Sequence, residues 1–369
     1  MLLSAQILIE PTGVNFSNER DHMNSDRDES HGSTNVKVGI VGLGKMGILH
    51  AGITNSISGT NVTAICEKES FLTTAAKAFL PKRIAVYKDY QKMMTEEQLD
   101  AVFITTPIGT HASIVNDLLK LNTAISIFVE KPLASSYEEA KVACEAATRS
   151  RGVHMVGFQK RFSPVFQKAK QLIEQGIMGD PIFFRGYCYS SDVLREGSAW
   201  RFRKKTGGVL LDSAPHLLDL LIWFFGEPTR TMAIKKQIYS SEVEDYVHAV
   251  ISYDSGLQGH IDACWSVSNF RLPEFLIEIY GRDGILTATD DYVKFMPGRG
   301  STKMGGAQTY HRQSFETSPP FLLADIDYTM EDVAFLNAVR TGTAAEPSFL
   351  QAAKVNALID RILESTQKG

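Results

Sequence analysis

The run Val36-Lys-Val-Gly-Ile-Val41 leads directly into Gly42-Leu-Gly44-Lys-Met-Gly47, and this junction constrains the fold more than any other stretch of the chain. A short β-branched strand that ends in a glycine turn and opens a helix is the context that a G-x-G-x-x-G pattern requires. Gly42 permits the tight turn, Gly44 lets the backbone approach a pyrophosphate, and Gly47 lets the helix pack closely on the strand. The helix N-terminus then offers N–H groups and partial positive charge to phosphate oxygens. Glu67 follows twenty residues after Gly47, at the end of the next predicted strand. A carboxylate there accepts hydrogen bonds from a ribose diol and repels a 2′-phosphate, which predicts NAD as the cofactor. Lys68, beside it, is suited to a 2′-phosphate and keeps NADP as the alternative. A plain glycine loop next to a solvated glutamate is the competing explanation, but it leaves the agreement of pattern and context unexplained.

Further apolar strands are predicted at 61–66, 101–105, 124–129 and 153–158, with helices at 46–57, 111–121 and 136–150. Alternating helices and nearly all-apolar strands imply a parallel sheet covered on both faces. After Gly157 the pattern changes. Helices are expected at 164–176 and 213–225, then strands at about 229–239, 244–253, 257–267 and 274–281. His260, Asp262 and Cys264 alternate with Ile261, Ala263 and Trp265, a period of two. Residues 298–320, rich in Gly, Ser, Thr and Pro, read as a loop, and helices at 327–341 and 348–365 finish the chain. The expected fold class is α/β: a doubly wound parallel sheet, then an α/β domain with a large, mostly antiparallel open sheet. The expected domains are a dinucleotide-binding unit at 35–158 and a substrate-binding and oligomerisation unit at 159–369. The C-terminal helices are expected to pack back on the first unit.

Composition narrows the function. The 369 residues suffice for two domains without disulfide or metal staples. The net charge of −4 argues against a partner bound through bulk positive charge, so no nucleic acid is expected. No apolar run approaches the roughly 18 residues of a membrane span, so no membrane partner is expected either. Met1–Ile9 is apolar, but it lacks a basic preceding region and a small-residue cleavage site, so a secretory signal is not expected. Residues 1–34 read as a poorly ordered extension, or as an upstream start ahead of Met23. Cys66, Cys144, Cys188 and Cys264 form no C-x-x-C pair, so neither a disulfide framework nor a metal site is expected, and the reducing cytoplasm is the natural compartment.

Two more segments carry chemistry. Glu130-Lys131-Pro132 follows a buried strand, and in an open parallel sheet ligands sit beyond the strands' carboxyl ends. Pro132 biases Lys131 away from helical backbone. A solvent-facing lysine at a strand end is the plainer alternative. Asp212, His216 and Asp219 have the i, i+4, i+7 spacing of one helix face, on a helix otherwise built from Leu, Ile, Trp and Phe. Polar groups on so apolar a helix need partners or a function. Asp212 also fits a helix N-cap before Pro215. His216 is either a satisfied core histidine or a proton acceptor that works near neutral pH.

With these segments, Thr105-Thr-Pro107 plus His111, Gly157-Phe-Gln-Lys-Arg161-Phe and Gly179-Asp-Pro181, the chain resembles the Gfo/Idh/MocA oxidoreductases, the glucose–fructose oxidoreductase and inositol dehydrogenase relatives. The resemblance runs from about Val36 to the C-terminal helices. It implies a Rossmann domain and hydride transfer between a nicotinamide and a carbinol of a sugar, sugar derivative or polyol. Carried over by position, Lys131, Asp212 and His216 form the catalytic set. Gly42, Gly44, Lys45, Met46, Gly47, Glu67, Thr105, Pro107, His111, Glu130 and Lys131 face the cofactor. Arg161, Trp200, Arg201, Asp212 and His216 face the substrate. Within this mechanism His216 is the base, Lys131 steadies the developing alkoxide, and Asp212 holds the imidazole or bonds a neighbouring hydroxyl. Ala214 and Gln159 stand where many members have glycine and asparagine. A glycosidase that oxidises its substrate transiently, and a dinucleotide-binding regulator without turnover, are the alternative functions.

Two further expectations follow. The strands between 229 and 281 leave one sheet face with apolar residues to cover, which predicts a homodimer or homotetramer. The segment from Arg195 to Lys205, with five basic residues and Glu196 as its only acid, is either a solvated loop or a clamp for an anionic substrate.

Overall fold

The computed structural model describes residues 35–79, 81–270, 272–300, 305–314 and 326–366. The expected extension at 1–34 lies outside the described residues. Strands β1 (Val36–Val41), β2 (Thr60–Cys66), β3 (Ala85–Tyr87), β4 (Ala101–Ile104), β5 (Ser126–Glu130) and β6 (His154–Gly157) form a sheet in the order β3-β2-β1-β4-β5-β6. Every pairing in it is parallel. All residues of β4 and β5 are buried, as they must be when helices cover both faces. The connecting helices are α1 (Lys45–Ser56), α2 (Ser70–Phe79), α3 (Tyr90–Glu96), α4 (His111–Leu121) and α5 (Tyr137–Thr148). Strand β3 has only three half-buried residues, too short a pattern to be read from sequence. The strand order reverses direction between β1 and β4, which opens a crevice beyond their carboxyl ends. There Thr105 Oγ1 donates to Gly42 O at 2.7 Å.

The second sheet contains β7 (Pro181–Tyr189), β8 (Arg230–Lys236), β9 (Tyr246–Ser252), β10 (Gln258–Cys264), β11 (Glu274–Gly281), β12 (Gly284–Thr289), β13 (Tyr292–Pro297) and β14 (Gln308–His311). Its order is β14-β13-β12-β11-β7-β10-β9-β8. Strands β7 and β10 run parallel and the remaining pairs antiparallel. Strand β14 lies within the stretch expected to be loop. Its residues, Gln-Thr-Tyr-His, lack an apolar alternation, and pairing with β13 makes them a strand.

Helices α6 (Pro164–Glu174), α7 (Val209–Asp212) and α8 (Pro215–Phe225) pack on the inner side. The helix expected to begin at Ser213 begins at Pro215 instead, and the separate turn α7 precedes it. Pro215 takes the first helical position of α8, where its missing N–H costs nothing, and Ala214 is the N-cap with no side-chain bond. The N-cap reading of Asp212 is therefore wrong, because Asp212 ends the preceding turn.

Helices α9 (Ile326–Thr341) and α10 (Phe349–Glu364) complete the chain. Ser348 and Gln351 form a reciprocal capping box at the start of α10. Phe335 of α9 packs edge-on against Phe103 of β4, with centroids 5.3 Å apart. On α10, Asn356 donates to Ala134 O at 2.7 Å and Arg361 to Pro228 O at 2.8 Å. The outer face of the second sheet is more polar than expected. Met232, Ile234 and Val250 are exposed at the β8 edge, but Arg185–Glu278 and His248–Asp262 pairs occupy the centre.

Candidate active site

The glycine turn is shaped as the sequence requires. Gly42 has φ of +98°, and a Cβ on Gly47 would lie 1.9 Å from Gly42 O. A Cβ on Gly44 would meet nothing within 4 Å, so it would project into open space at the mouth of α1. Gly44 is the N-cap, and no side chain closes that end of the helix. This open cradle fits a pyrophosphate, whose oxygens would take the helix N–H groups. Lys45 is exposed and Met46 half-buried beside it. Glu67 is buried at the end of β2. Its Oε2 accepts from Leu43 N–H at 2.7 Å and its Oε1 from Glu69 N–H at 2.8 Å. The carboxylate therefore fixes the glycine turn.

His111 is buried and bridges two turns. Its Nδ1 lies 2.9 Å from Pro132 O and its Nε2 2.7 Å from Thr106 O. It ties Thr105-Thr106-Pro107 to Glu130-Lys131-Pro132, a positioning task rather than a surface open to ligand. Pro107 is exposed at the crevice. The Glu130 carboxylate turns inward, accepting from His50 Nε2 at 3.0 Å and from Lys131 N–H at 3.1 Å. Burial raises its pKa, but the His50 bond and charge, with Lys131, outweigh that and hold it below the usual range.

Lys131 leaves the end of β5 and reaches α7. Its Nζ donates to Asp212 O at 2.5 Å, and Asp212 Oδ1 lies 3.9 Å away. Arg201, in the single turn of 3₁₀ helix at Trp200–Phe202, pairs with Asp212 Oδ2 at 2.9 Å. Lys131, Asp212 and Arg201 thus meet, partly open to solvent. His216 sits on the first turn of α8, 6% exposed, between the rings of Phe158 and Phe275. Its Nδ1 is buried without a hydrogen-bond partner. Burial pushes the imidazole pKa well below the ordinary value, and the charges of Lys131 and Lys160 push it further. Asp212 is engaged by Arg201 and Lys131 and does not hold the imidazole.

Two expected substrate neighbours have other partners. Arg161 donates from Nε and Nη2 to both oxygens of Asp219, at 2.7 and 2.6 Å, and both residues are buried. The supposed polar stripe of α8 is therefore split: Asp219 completes a buried ion pair, and the guanidinium of Arg161 is committed to it. Trp200 is half-buried under the Arg201 guanidinium, 5.9 Å from its ring centroid.

Sequence reasoning missed Lys160, which ion-pairs with Asp290 in the β12–β13 turn and lies 5.0 Å over the Phe275 ring. The strand-end rule that found Lys131 would also have found Lys160, just past β6. No sequence signal marks Asp290, whose place depends on the second sheet. Also missed were the partners of His50 on α9. Asp332 accepts from His50 Nδ1 at 2.8 Å, and Glu331 is fully buried beside them.

Family comparisons agree with this architecture. Residues 36–158 match the oxidoreductase family with an NAD-binding Rossmann fold, and residues 166–287 match the GFO/IDH/MocA C-terminal domain. The scyllo-inositol 2-dehydrogenase (NAD(+)) of Bacillus subtilis (strain 168) is 26% identical over 321 residues, 83% of this chain and 87% of that protein. The D-apiose dehydrogenase of Paraburkholderia graminis is 25% identical over 344 residues, 90% of this chain and 88% of that protein. Levoglucosan dehydrogenase in complex with NADH and levoglucosan superposes with a TM-score of 0.78 at 25% identity, covering 90% of this chain and 97% of that one. Among the described residues no helix is long and apolar enough to cross a membrane. The two family matches lie on the two sheets that frame Lys131, Asp212 and His216, and the chain belongs to the Gfo/Idh/MocA oxidoreductases, with an NAD-binding Rossmann fold.

Proposed function

We propose that this chain oxidises a secondary carbinol of a neutral sugar or polyol, with Lys131 and His216 as catalytic residues and Asp212 as a substrate-orienting one. The observation that carries this reading is the convergence of Lys131, Asp212 and Arg201, with His216 close enough that the Lys131 charge depresses its pKa. NAD, when bound, supplies the hydride acceptor. The chain's own groups manage the proton. Neutral His216 offers a lone pair, and with Nδ1 sealed inside the protein the transfer falls to Nε2. The Lys131 ammonium stabilises negative charge as it develops on the substrate oxygen. Asp212, paired with Arg201 through Oδ2, would orient an adjacent hydroxyl through Oδ1.

Charge pairing favours a neutral substrate. Arg201 is matched by Asp212 and Lys160 by Asp290. Arg195, Arg203, Lys204 and Lys205 are exposed, which supports the solvated-loop reading of that segment. The test is NADH formation with inositols, aldoses, uronates and sugar phosphates at low and high salt. Neutral polyols should turn over fastest, with kcat/KM changing less than about twofold with salt. A preference for anionic sugars that salt weakens would overturn the neutral assignment. NADH that never accumulates, with glycoside cleaved instead, would overturn the dehydrogenase.

Self-association belongs to the same reading. The exposed Met232, Ile234 and Val250 edge and the paired charges of the outer sheet face suit a second copy of the chain, as a homodimer or homotetramer in the cytoplasm. Light scattering at micromolar concentration tests this, and a stable monomer argues against it.

A further inference from the structure

We propose that His50 is a positioning residue which links helix α1, at whose N-terminus the dinucleotide phosphates would sit, to the backbone of Lys131 through Glu130. The inference rests on the catalytic reading of Lys131 above. His50 lies five residues into α1, about one and a half turns from the glycine turn. Its imidazole is fully buried against Phe103 and Phe128, with ring centroids at 5.4 and 5.1 Å.

Both ring nitrogens face carboxylates. Nδ1 lies 2.8 and 3.0 Å from the two oxygens of Asp332 on α9, and Nε2 lies 3.0 Å from Glu130 Oε1. The other Glu130 oxygen accepts the Lys131 N–H. A chain of bonds therefore runs from α9 through α1 to the end of β5, with aromatic walls in place of water. Burial alone would discharge this imidazole. The charge and hydrogen bond of Asp332, followed by those of Glu130, reverse that and raise its pKa well above the ordinary value.

Glu331 stands beside the chain of bonds, fully buried, with neither carboxyl oxygen hydrogen-bonded among the described residues. Burial and then the Glu130 charge raise its pKa well above the usual range. His50, Glu130 and Glu331 each bring a donor atom within 4.8 Å of the others, a spacing that would also admit a metal ion. A metal would need a lone pair on Nε2. With a carboxylate at each ring nitrogen, both carry protons, and the imidazolium has no lone pair to give.

The connection holds the Lys131 backbone through Glu130. Glu130 has two acceptor oxygens, one for His50 and one for Lys131. When His50 is lost, the Glu130 side chain is free to rotate and releases the Lys131 amide. Displacing a catalytic group by an ångström costs on the order of 10²-fold in rate.

The test uses His50→Gln, whose amide stands in for Nε2 and can still reach Glu130, and His50→Asn, whose amide stands in for Nδ1 and keeps only Asp332. His50→Asn should lower kcat on the order of 10²-fold with the Kd for NADH unchanged, and His50→Gln should recover most of that loss. Glu130→Gln should lower kcat similarly, and the double variant His50→Asn/Glu130→Gln should be no slower than either single one. Hydrogen exchange at the peptide carrying the Lys131 amide needs no substrate. It should rise in His50→Asn and stay near wild type in His50→Gln. That readout stands even if no polyol is turned over, so failure of the catalytic reading is told apart from failure of the positioning one. Unchanged exchange in folded His50→Asn, or kcat losses that multiply in the double variant, would overturn the proposal. So would a parallel loss of kcat, NADH affinity and thermal stability in all variants, which marks a purely structural role. Stoichiometric metal in the purified protein, absent from His50→Asn, would overturn it too by making His50 a ligand.

Discussion

Lys131 Nζ meets the backbone carbonyl of Asp212 at 2.5 Å, whereas the Asp212 carboxylate stands 3.9 Å from it and is shared with Arg201. The ammonium is thus aimed by a neutral dipole, and in the proposed mechanism its charge serves a developing alkoxide. Lys131→Met removes the charge but keeps most of the side-chain volume. It should lower kcat by about 10²–10³-fold, while NADH titration gives an affinity close to wild type. Equal losses in NADH affinity and kcat would place Lys131 in cofactor binding instead.

His216 should remain a base in mildly acidic solution. Burial, Lys131 and Lys160 all depress its pKa, so the imidazole takes up a proton only well below 6.5. The acid limb of kcat/KM should therefore lie below the ordinary histidine range. Lys160→Met removes one of the depressing charges and leaves Asp290 without its cation, and both changes move that limb upward. His216→Asn should cost about 10²–10⁴-fold in kcat. A wild-type acid limb at 6.5 that Lys160→Met does not move would show that another group titrates.

The sequence carried the first sheet almost whole, because G-x-G-x-x-G, the apolar strands and Glu130-Lys131-Pro132 are local signals. It also singled out His216 as a candidate, since an imidazole on so apolar a helix demands an explanation. What it lacked was long-range pairing. Asp219 has the helical spacing of a site residue but lies against Arg161, 58 residues away. His50 meets Asp332 across 282 residues, and Lys160 meets Asp290 across 130. No periodicity encodes such pairs. Asp212 has the sequence setting of an N-cap, but Pro215 moves the helix start past it.

Acid should weaken the fold through His154. Its ring lies against Phe349 at 5.2 Å, neither nitrogen has a hydrogen-bond partner, and burial lowers its pKa from 6.5 to about 4. The unfolded chain therefore binds a proton that the native one refuses between those values. The contribution is fully present above pH 6.5 and is lost as pH falls toward 4. His154→Phe keeps a ring against Phe349 without titrating. Between pH 7 and pH 5 its urea-unfolding free energy should fall by less than that of wild type, by at most about 2 kcal/mol. Wild-type and variant curves that fall in parallel would remove His154 from the acid response.

Glu67 has two tasks, and its replacement should separate them. In the proposed reading its position at the end of β2 sets cofactor choice, while its bonds to the Leu43 and Glu69 N–H groups hold the glycine turn. Glu67→Ser removes the negative charge that a 2′-phosphate would meet. One like-charge contact near a surface is worth about 1.4 kcal/mol, so the ratio of kcat/KM for NADP over NAD should rise about tenfold. The same change leaves the Leu43 N–H without its acceptor, which costs about 1–3 kcal/mol if the site stays dry. Binding of both cofactors should therefore weaken even as the ratio shifts toward NADP. Glu67→Gln keeps an acceptor oxygen for Leu43 and loses only the charge. It should shift the ratio with less loss of affinity. If wild type already prefers NADP, or if neither variant moves the ratio, Glu67 only braces the turn and Lys68 is the residue that reads the ribose.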